Sequence, residues 1–262
     1  MIMRERECYQ NQESKERFVT QCMVVKIGSS TITAEGQYLD KKFIDDIARQ
    51  ASELFHTGVK IAVVSSGAID NGRLLIKSLS RSDKDRQIAA MYGQSSLIKE
   101  WIAAFEKQNV LAGELLVLES ELEKTKELVS YAMNFGIPIV NGYDAINDRY
   151  RSSISSDNDR LSGFISRSVD ADTSVFLTDV EGVMDSDNSL IGFVDRLENI
   201  EEYITKSGRG TGGMWGKCIE AKHLAREGQR SIIANGKTPN VLLRIARGEN
   251  LGTRFGKGWM IY

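Results

Sequence analysis

Proline is almost missing. Pro138 and Pro239 are the only two in 262 residues, so no rigid Pro-rich linker separates domains. Cysteine is sparse and odd in number: Cys8, Cys22 and Cys218 form no C-x-x-C spacing, which excludes a disulfide framework and points to a reducing cytoplasm. Two histidines, His56 and His223, with no H-E-x-x-H, leave little from which to build a histidine metal site, and most metallohydrolase chemistry goes with it. Neither sign of charge dominates, with 34 Lys plus Arg against 36 Asp plus Glu and a net charge of -2. Without a basic field there is no counterion release to hold a polyanion, so nucleic acid is not the expected partner. No apolar run nears the roughly 20 residues of a membrane-spanning helix. The first 20 residues mix both charges and lack the apolar core of a secretory signal, and they read as a flexible extension.

What is present is an ordinary globular balance, 41% hydrophobic and 27% charged, laid out as an alternation. Met23 to Ile27 reads as a buried strand, and from Leu39 to Phe55 apolar residues recur at helical spacing with Gly58 placed as a left-handed cap. Val59 to Val64 is again a strand, followed by a long helical pattern from about Asp85 to Gln108. Val110 to Val117, a helical stretch to Phe135, and Ile137 to Val140 continue the series. After a polar stretch a helix is expected from about Asp157 to Val169, then a strand from Ser174 to Thr178. Another helix follows Gly213 as far as Glu227, and Arg230 to Ala234 closes the pattern as a strand. Strands separated by helices of this length imply right-handed crossovers in a mainly parallel sheet covered on both faces, an α/β fold. We expect one domain over 21–262, with lobes of about 21–170 and 171–262.

In a parallel sheet, ligands bind beyond the carboxyl ends of the strands. Those positions hold Gly28-Ser29-Ser30, Ser65-Ser66-Gly67, Asn141-Gly142 and Thr178-Asp179. Any strand-to-helix turn favours such residues, but four together point to backbone N–H groups and helix N-termini arranged around an anion. Lys26 lies inside an apolar strand, flanked by Val25 and Ile27. Either it snorkels its ammonium to the surface, or the head reaches the crevice and faces a transferring phosphoryl group. The segment Gly208 to Lys217 spells G-x-G-x-x-G, yet no strand precedes it and no acidic ribose partner follows, so a dinucleotide site is excluded. It also misses the P-loop pattern, with Thr211 at the first glycine position and Cys218 at the last. What remains is a loop able to close over a nucleotide and deliver a second ammonium, Lys217. Ser156-Asp157-Asn158-Asp159 caps a helix, and the same geometry projects Asp159 towards two lysines and Asn158 towards a substrate amine or carboxylate. Asp185-Ser-Asp-Asn-Ser is no calcium loop, because Leu190 and Arg196 stand where glycine and an acid are needed. Tyr143, Tyr150 and Trp215, without a basic stripe, read as lids or packing rather than base-stacking platforms.

The series Val24-Val-Lys-Ile-Gly-Ser29, Val64-Ser-Ser-Gly-Ala-Ile69, Tyr92-Gly-Gln-Ser95, Ile139-Val-Asn-Gly-Tyr-Asp144, Ser156-Asp-Asn-Asp159, Leu177-Thr-Asp179 and Gly210-Thr-Gly-Gly-Met214 with Lys217 resembles the glutamate 5-kinases of the amino acid kinase family. The resemblance runs from about Val24 to Phe255, and no segment matches the C-terminal RNA-modification-type (PUA) domain that many bacterial members carry. It implies a three-layer αβα sandwich with a mainly parallel central sheet, an acceptor site on the N-terminal lobe and ATP on the C-terminal lobe. By that carry-over Lys26 and Lys217 stabilise the transferring phosphoryl group and Asp159 organises them. Ser66, Asp144 and Asn158 bind the acceptor, with Gly67 and Asn141 beside them. Thr178, Asp179, Gly210, Thr211, Gly212, Gly213 and Met214 match the nucleotide site, together with Gly28 and Ser29 of the first turn and with Lys26 and Lys217 themselves. The implied reaction is transfer of the ATP γ-phosphate to the side-chain carboxylate of L-glutamate, opening proline biosynthesis. The resemblance further implies Mg2+ carried by the ATP rather than by protein ligands, and a homo-oligomer. The sequence departs from the family at Gly142-Tyr143, where Glu-Asn is usual, after Asp179, and at Arg160 and Trp215-Gly216. The first departure keeps open a relative acting on another carboxylate or phosphate acceptor, or a non-catalytic sensor.

Overall fold

In the computed structural model, residues 19–34, 38–146, 154, 157–194 and 213–256 are described. Eight strands form one sheet in the order β5-β6-β4-β1-β7-β9-β10-β8. At its centre β1 (Cys22–Ile27) pairs in parallel with β4 (Lys60–Ser65) and β7 (Thr173–Thr178), in a register that sets Lys26 between Val64 and Phe176. β6 (Ile137–Gly142) and β5 (Ala112–Val117) extend the parallel sheet one way, and β9 (Arg230–Asn235) the other. The far edge is mixed, since β10 (Thr253–Phe255) runs antiparallel to β9 and carries β8 (Phe193–Val194). A two-stranded ribbon, β2 (Thr33–Ala34) and β3 (Tyr38–Leu39), lies apart from the main sheet.

Strand alternation assigns the two faces. Met23, Val25 and Ile27 join a core built with α2 (Lys41–His56), the end of α4 (Asp83–Glu106) and α8 (Val241–Ala246), whereas Cys22 and Val24 face α5 (Leu122–Ala132) and α6 (Asn158–Ser168). A third cluster packs Phe176, Ile233 and Phe255 under α7 (Gly213–Arg226). The result is the expected αβα sandwich. On the α4 face, Trp101 and Phe105 are fully buried and stacked 6.0 Å apart, and Trp101 Nε1 donates to Ser65 Oγ at 3.0 Å, which holds the end of β4 against the helix.

Local chemistry sets the helix ends. Asp40 caps α2 by accepting from Phe43 N at 3.1 Å, and Gly58, at φ 95°, ends the turn that follows it. Ser82 caps α4 through Asp85 N, so that helix begins two residues before the expected position. Gly67, at φ 105°, turns the chain from β4 into α3 (Ala68–Leu75), an element the apolar pattern does not show. Next to α3, α1 (Ser29–Ile32) is a single turn after β1. The extension expected to be flexible through residue 20 is already docked by Val19 and Thr20. Val19 N donates to Ala246 O at 2.9 Å and Thr20 is fully buried, 3.1 Å from Thr173 Oγ1; residues 1–18 lie outside the described residues. In the Asp185 turn, the Asp185 carboxylate accepts from the backbone of Asp187 and Ser189 at 2.9 Å, which accounts for that acidic cluster as a hairpin turn.

Candidate active site

Beyond the carboxyl ends of β1 and β4 lies a cavity of about 600 Å3, with Lys26, Ser66, Asn158, Asp159 and Lys217 in its wall. Lys26, Asp159 and Lys217 are only 5%, 5% and 7% exposed, so each charge needs a partner inside the protein. Lys26 Nζ stands 2.6 Å from Asp159 Oδ1, and Lys217 Nζ stands 3.6 Å from Oδ2 and donates to Gly213 O at 2.8 Å. The snorkelling alternative for Lys26 is thereby set aside. Two ammonium groups share one carboxylate in a buried place. Burial and the neighbouring Lys26 lower the Lys217 pKa against the pull of Asp159, as expected of a cation short of negative charge.

Three elements deliver these groups. Lys26 sits one residue from the end of the central strand. Asp157 caps α6 by accepting from Asp159 N at 2.9 Å and Arg160 N at 3.4 Å, which fixes the first helical turn with Asp159 aimed at the lysines. Lys217 comes from the first turn of α7. Gly216 lets this turn approach, because a Cβ there would lie 3.0 Å from Asp159 Oδ2.

Gly28, Ser29, Gly67 and Gly213 line the same cavity, and so does Asp144, 3.8 Å from Arg86. Burial pushes the Asp144 carboxyl up to about 6, with Arg86 opposing the shift. Asn158 Nδ2 donates to Ser66 Oγ and to Asn141 Oδ1, each at 3.0 Å. Asn141 lies beside Asn158 and is buried, with both ends of its amide engaged by protein groups, and it does not itself line the cavity among the described residues. Met214, in the first turn of α7, is half-buried against the cluster beneath that helix. Thr178 is buried and hydrogen-bonded to Asp179 at 3.2 Å, and neither lines this cavity among the described residues. Gly210, Thr211 and Gly212 lie outside the described residues, as do Tyr150 and Ser156. Sequence reasoning missed Arg73, Arg86 and Asp70, which share the wall. Arg73 Nε is buried with no hydrogen-bond partner among the described residues. For Asp70 and Arg73 the available signal was charge a short step beyond the Gly67 turn; Arg86, in the first turn of α4, gave none.

Residues 21–235 match the amino acid kinase family model. The chain belongs to the amino acid kinase family. A glutamate 5-kinase of Chlorobaculum tepidum is 34% identical over 249 residues, covering 89% of this chain and 68% of that one. A glutamate 5-kinase of Methanosarcina barkeri is 34% identical over 258 residues, with 89% and 67% covered. Among solved structures, the UMP kinase of Bacillus anthracis superposes with a TM-score of 0.65 at 14% identity, over 90% of this chain and 96% of that one. The carbamate kinase of Giardia lamblia, bound to AMP-PNP, gives 0.65 at 17% identity, over 91% and 99%. These likenesses place the fold among the amino acid kinases.

The unusual tyrosine of this amino acid kinase does not enter the cavity of the two lysines. Tyr143 lines a neighbouring, more apolar cavity of about 710 Å3 between α4, β5 and the turn after β6, and Asp144 borders both. Cys22 and Cys218 are buried, unpaired thiols pushed up to about 12 by burial, which makes them packing groups rather than nucleophiles. Among the described residues no helix is long and apolar enough to cross a membrane.

Proposed function

We propose that this amino acid kinase transfers the γ-phosphate of ATP to the side-chain carboxylate of glutamate, forming glutamyl 5-phosphate, the product that enters proline biosynthesis. The observation that carries the reading is the buried pair Lys26 and Lys217 on Asp159, in the wall of a cavity. A carboxylate oxygen attacks the γ-phosphorus as the bond to the ADP oxygen breaks. No base is needed, because the nucleophile is already ionised at neutral pH. Fixed ammonium groups are worth most where charge spreads over the migrating phosphoryl oxygens, and Asp159 holds them there before the substrate arrives. Among the described residues no trio of acidic, His or Cys donors is gathered for a metal. Magnesium carried in by ATP would take its oxygens from phosphate and water and offset the charge between them.

We assign the acceptor to the N-terminal lobe, about 21–170, beside Ser66, Gly67, Asp144 and Asn158, and the nucleotide to the C-terminal lobe, about 171–262, including the segment around Gly210 to Met214. The free, buried Cys22 and Cys218 support a reducing cytoplasm. Exposed Leu128, Tyr131 and Phe135 on and beyond α5 support self-association. The deciding experiment is an ADP-release assay offering glutamate, aspartate, N-acetylglutamate, carbamate and small phosphates. Turnover confined to glutamate establishes the reading. Turnover on another acceptor, or ATP binding with none, would replace it with a different kinase or a sensor.

A further inference from the structure

Arg73 stands on α3 in the wall of the cavity, and among the described residues it forms no hydrogen bond or ion pair. Other partly covered arginines find an acid: Arg86 lies 3.8 Å from Asp144, Arg167 2.8 Å from Glu220 and Arg230 2.8 Å from Asp172. Asp70, three places before Arg73 on the same helix, is exposed and makes no such pair with it. Protein encloses Nε, which holds the base of the fork, and the terminal nitrogens Nη1 and Nη2 are the part left for the cavity. A guanidinium presents these two as parallel donors whose spacing matches the oxygens of a carboxylate.

The rest of the wall shows which carboxylate that is. Lys26 and Lys217 mark where the phosphoryl group passes, so the carboxylate that reacts has to reach them. The Asn158 amide has a fixed orientation. Gly142 N can only donate, and it donates to Asn141 Oδ1 at 2.9 Å, which makes that oxygen the acceptor for Asn158 Nδ2 at 3.0 Å. Asn158 Nδ2 donates also to Ser66 Oγ at 3.0 Å. Both its hydrogens are spent, and Asn158 Oδ1 is left, with Asp144 in the same wall, to accept from an ammonium. Arg86 is already engaged by Asp144, so Arg73 and the Ser66 hydroxyl remain as donors for a second carboxylate. An ammonium and two carboxylates are the polar groups of an acidic α-amino acid. One carboxylate reacts, and the other meets Arg73.

We infer that Arg73 is a specificity-determining residue for the acceptor: its guanidinium takes the α-carboxylate of the amino acid, and so favours acceptors with a second carboxylate over those with one. The inference rests on the proposed phosphorylation of glutamate in this cavity. Its test pairs a change in the protein with a change in the acceptor, in ADP-release kinetics of the full chain. 4-Aminobutanoate is glutamate without the α-carboxylate, and glutarate is glutamate without the ammonium. In Arg73→Met, kcat/KM for glutamate is expected to fall about 10- to 100-fold through KM rather than kcat, the range of a hydrogen bond to a charged group. The same variant should leave kcat/KM for 4-aminobutanoate and the KM for ATP within about twofold, because the group that Arg73 meets is missing there. Where 4-aminobutanoate turns over too slowly to follow, inhibition constants against glutamate replace kcat/KM: glutarate should weaken in Arg73→Met and 4-aminobutanoate should not. Arg73→Lys keeps the charge without the planar fork, should fall between wild type and Arg73→Met, and carries the test if Arg73→Met does not fold. An unchanged preference for glutamate over 4-aminobutanoate, an equal loss on both acceptors, or a loss that appears in the KM for ATP would overturn the inference. The two failures are distinct. Wild-type protein that releases no ADP with glutamate refutes the proposed function itself, whereas wild-type turnover of glutamate with acceptor preference unchanged in both Arg73 variants removes only the role of Arg73.

Discussion

A lysine within a buried strand is costly unless something in the fold uses its charge, and at Lys26 that use is shared with Lys217 through Asp159. Lys26→Ala should therefore lower kcat by about 10²- to 10³-fold, in line with loss of one preorganised donor at a reacting centre, with ATP binding retained. Coupled ADP release and a nucleotide titration on the same protein separate these effects. Asp144 predicts a pH dependence with a definite sign. Its carboxyl, raised to about 6 by burial against the opposing Arg86, gains a proton as pH falls from 7.5 to 5.5. The KM for glutamate should then rise on acidification as the negative charge facing its ammonium is lost, and that slope should vanish in Asp144→Asn. Lys26 and Asp159 were legible because a charged residue among Val and Ile, and an acid in a capping sequence, each break a local rule. Arg73 breaks none, since it lies in a short helix whose exposed side carries charge as any surface helix does.

The two helices flanking the acceptor end are held by close contact rather than by large side chains. A Cβ at Gly72 would lie 1.8 Å from Ala89 O, and one at Gly93 would lie 1.8 Å from Ala68 O, while Asn71 Nδ2 donates to Gly93 O at 2.9 Å. Gly93→Ala should force α3 and α4 apart and cost about 1–3 kcal/mol or more in a urea unfolding experiment. Because α3 bears Arg73 and α4 bears Arg86 and Gln94, the glutamate KM should rise with it. This crossing explains why α3 was not read in advance. Its inner face is Ala68, Asn71 and Gly72, so the apolar stripe that reveals α2 is missing. The short β8 and β10 escaped for a related reason: two- and three-residue strands leave no period to detect.

Across the whole molecule, the two ammonium groups held at the junction of β1, α6 and α7 make a bound polyphosphate part of the protein's stability. An ATP analogue at about 100 times its Kd should add about 2.7 kcal/mol, seen as a rise in Tm. The increment should shrink in Lys217→Ala, and an equal rise in that variant would argue that the nucleotide binds elsewhere. Periodicity and turn residues were enough to set the parallel α/β alternation, the central strands and the order of the motifs, because those signals are carried by neighbours a few positions apart. Convergence of Lys26, Asp159 and Lys217 was decided only when the crossovers stacked β1 beside β7 and laid α6 across them. The same packing set Asn141 between Gln94 and Asn158. The physical reason is that hydrogen-bond direction and charge balance depend on which groups meet, and folding brings these together from distant parts of the chain.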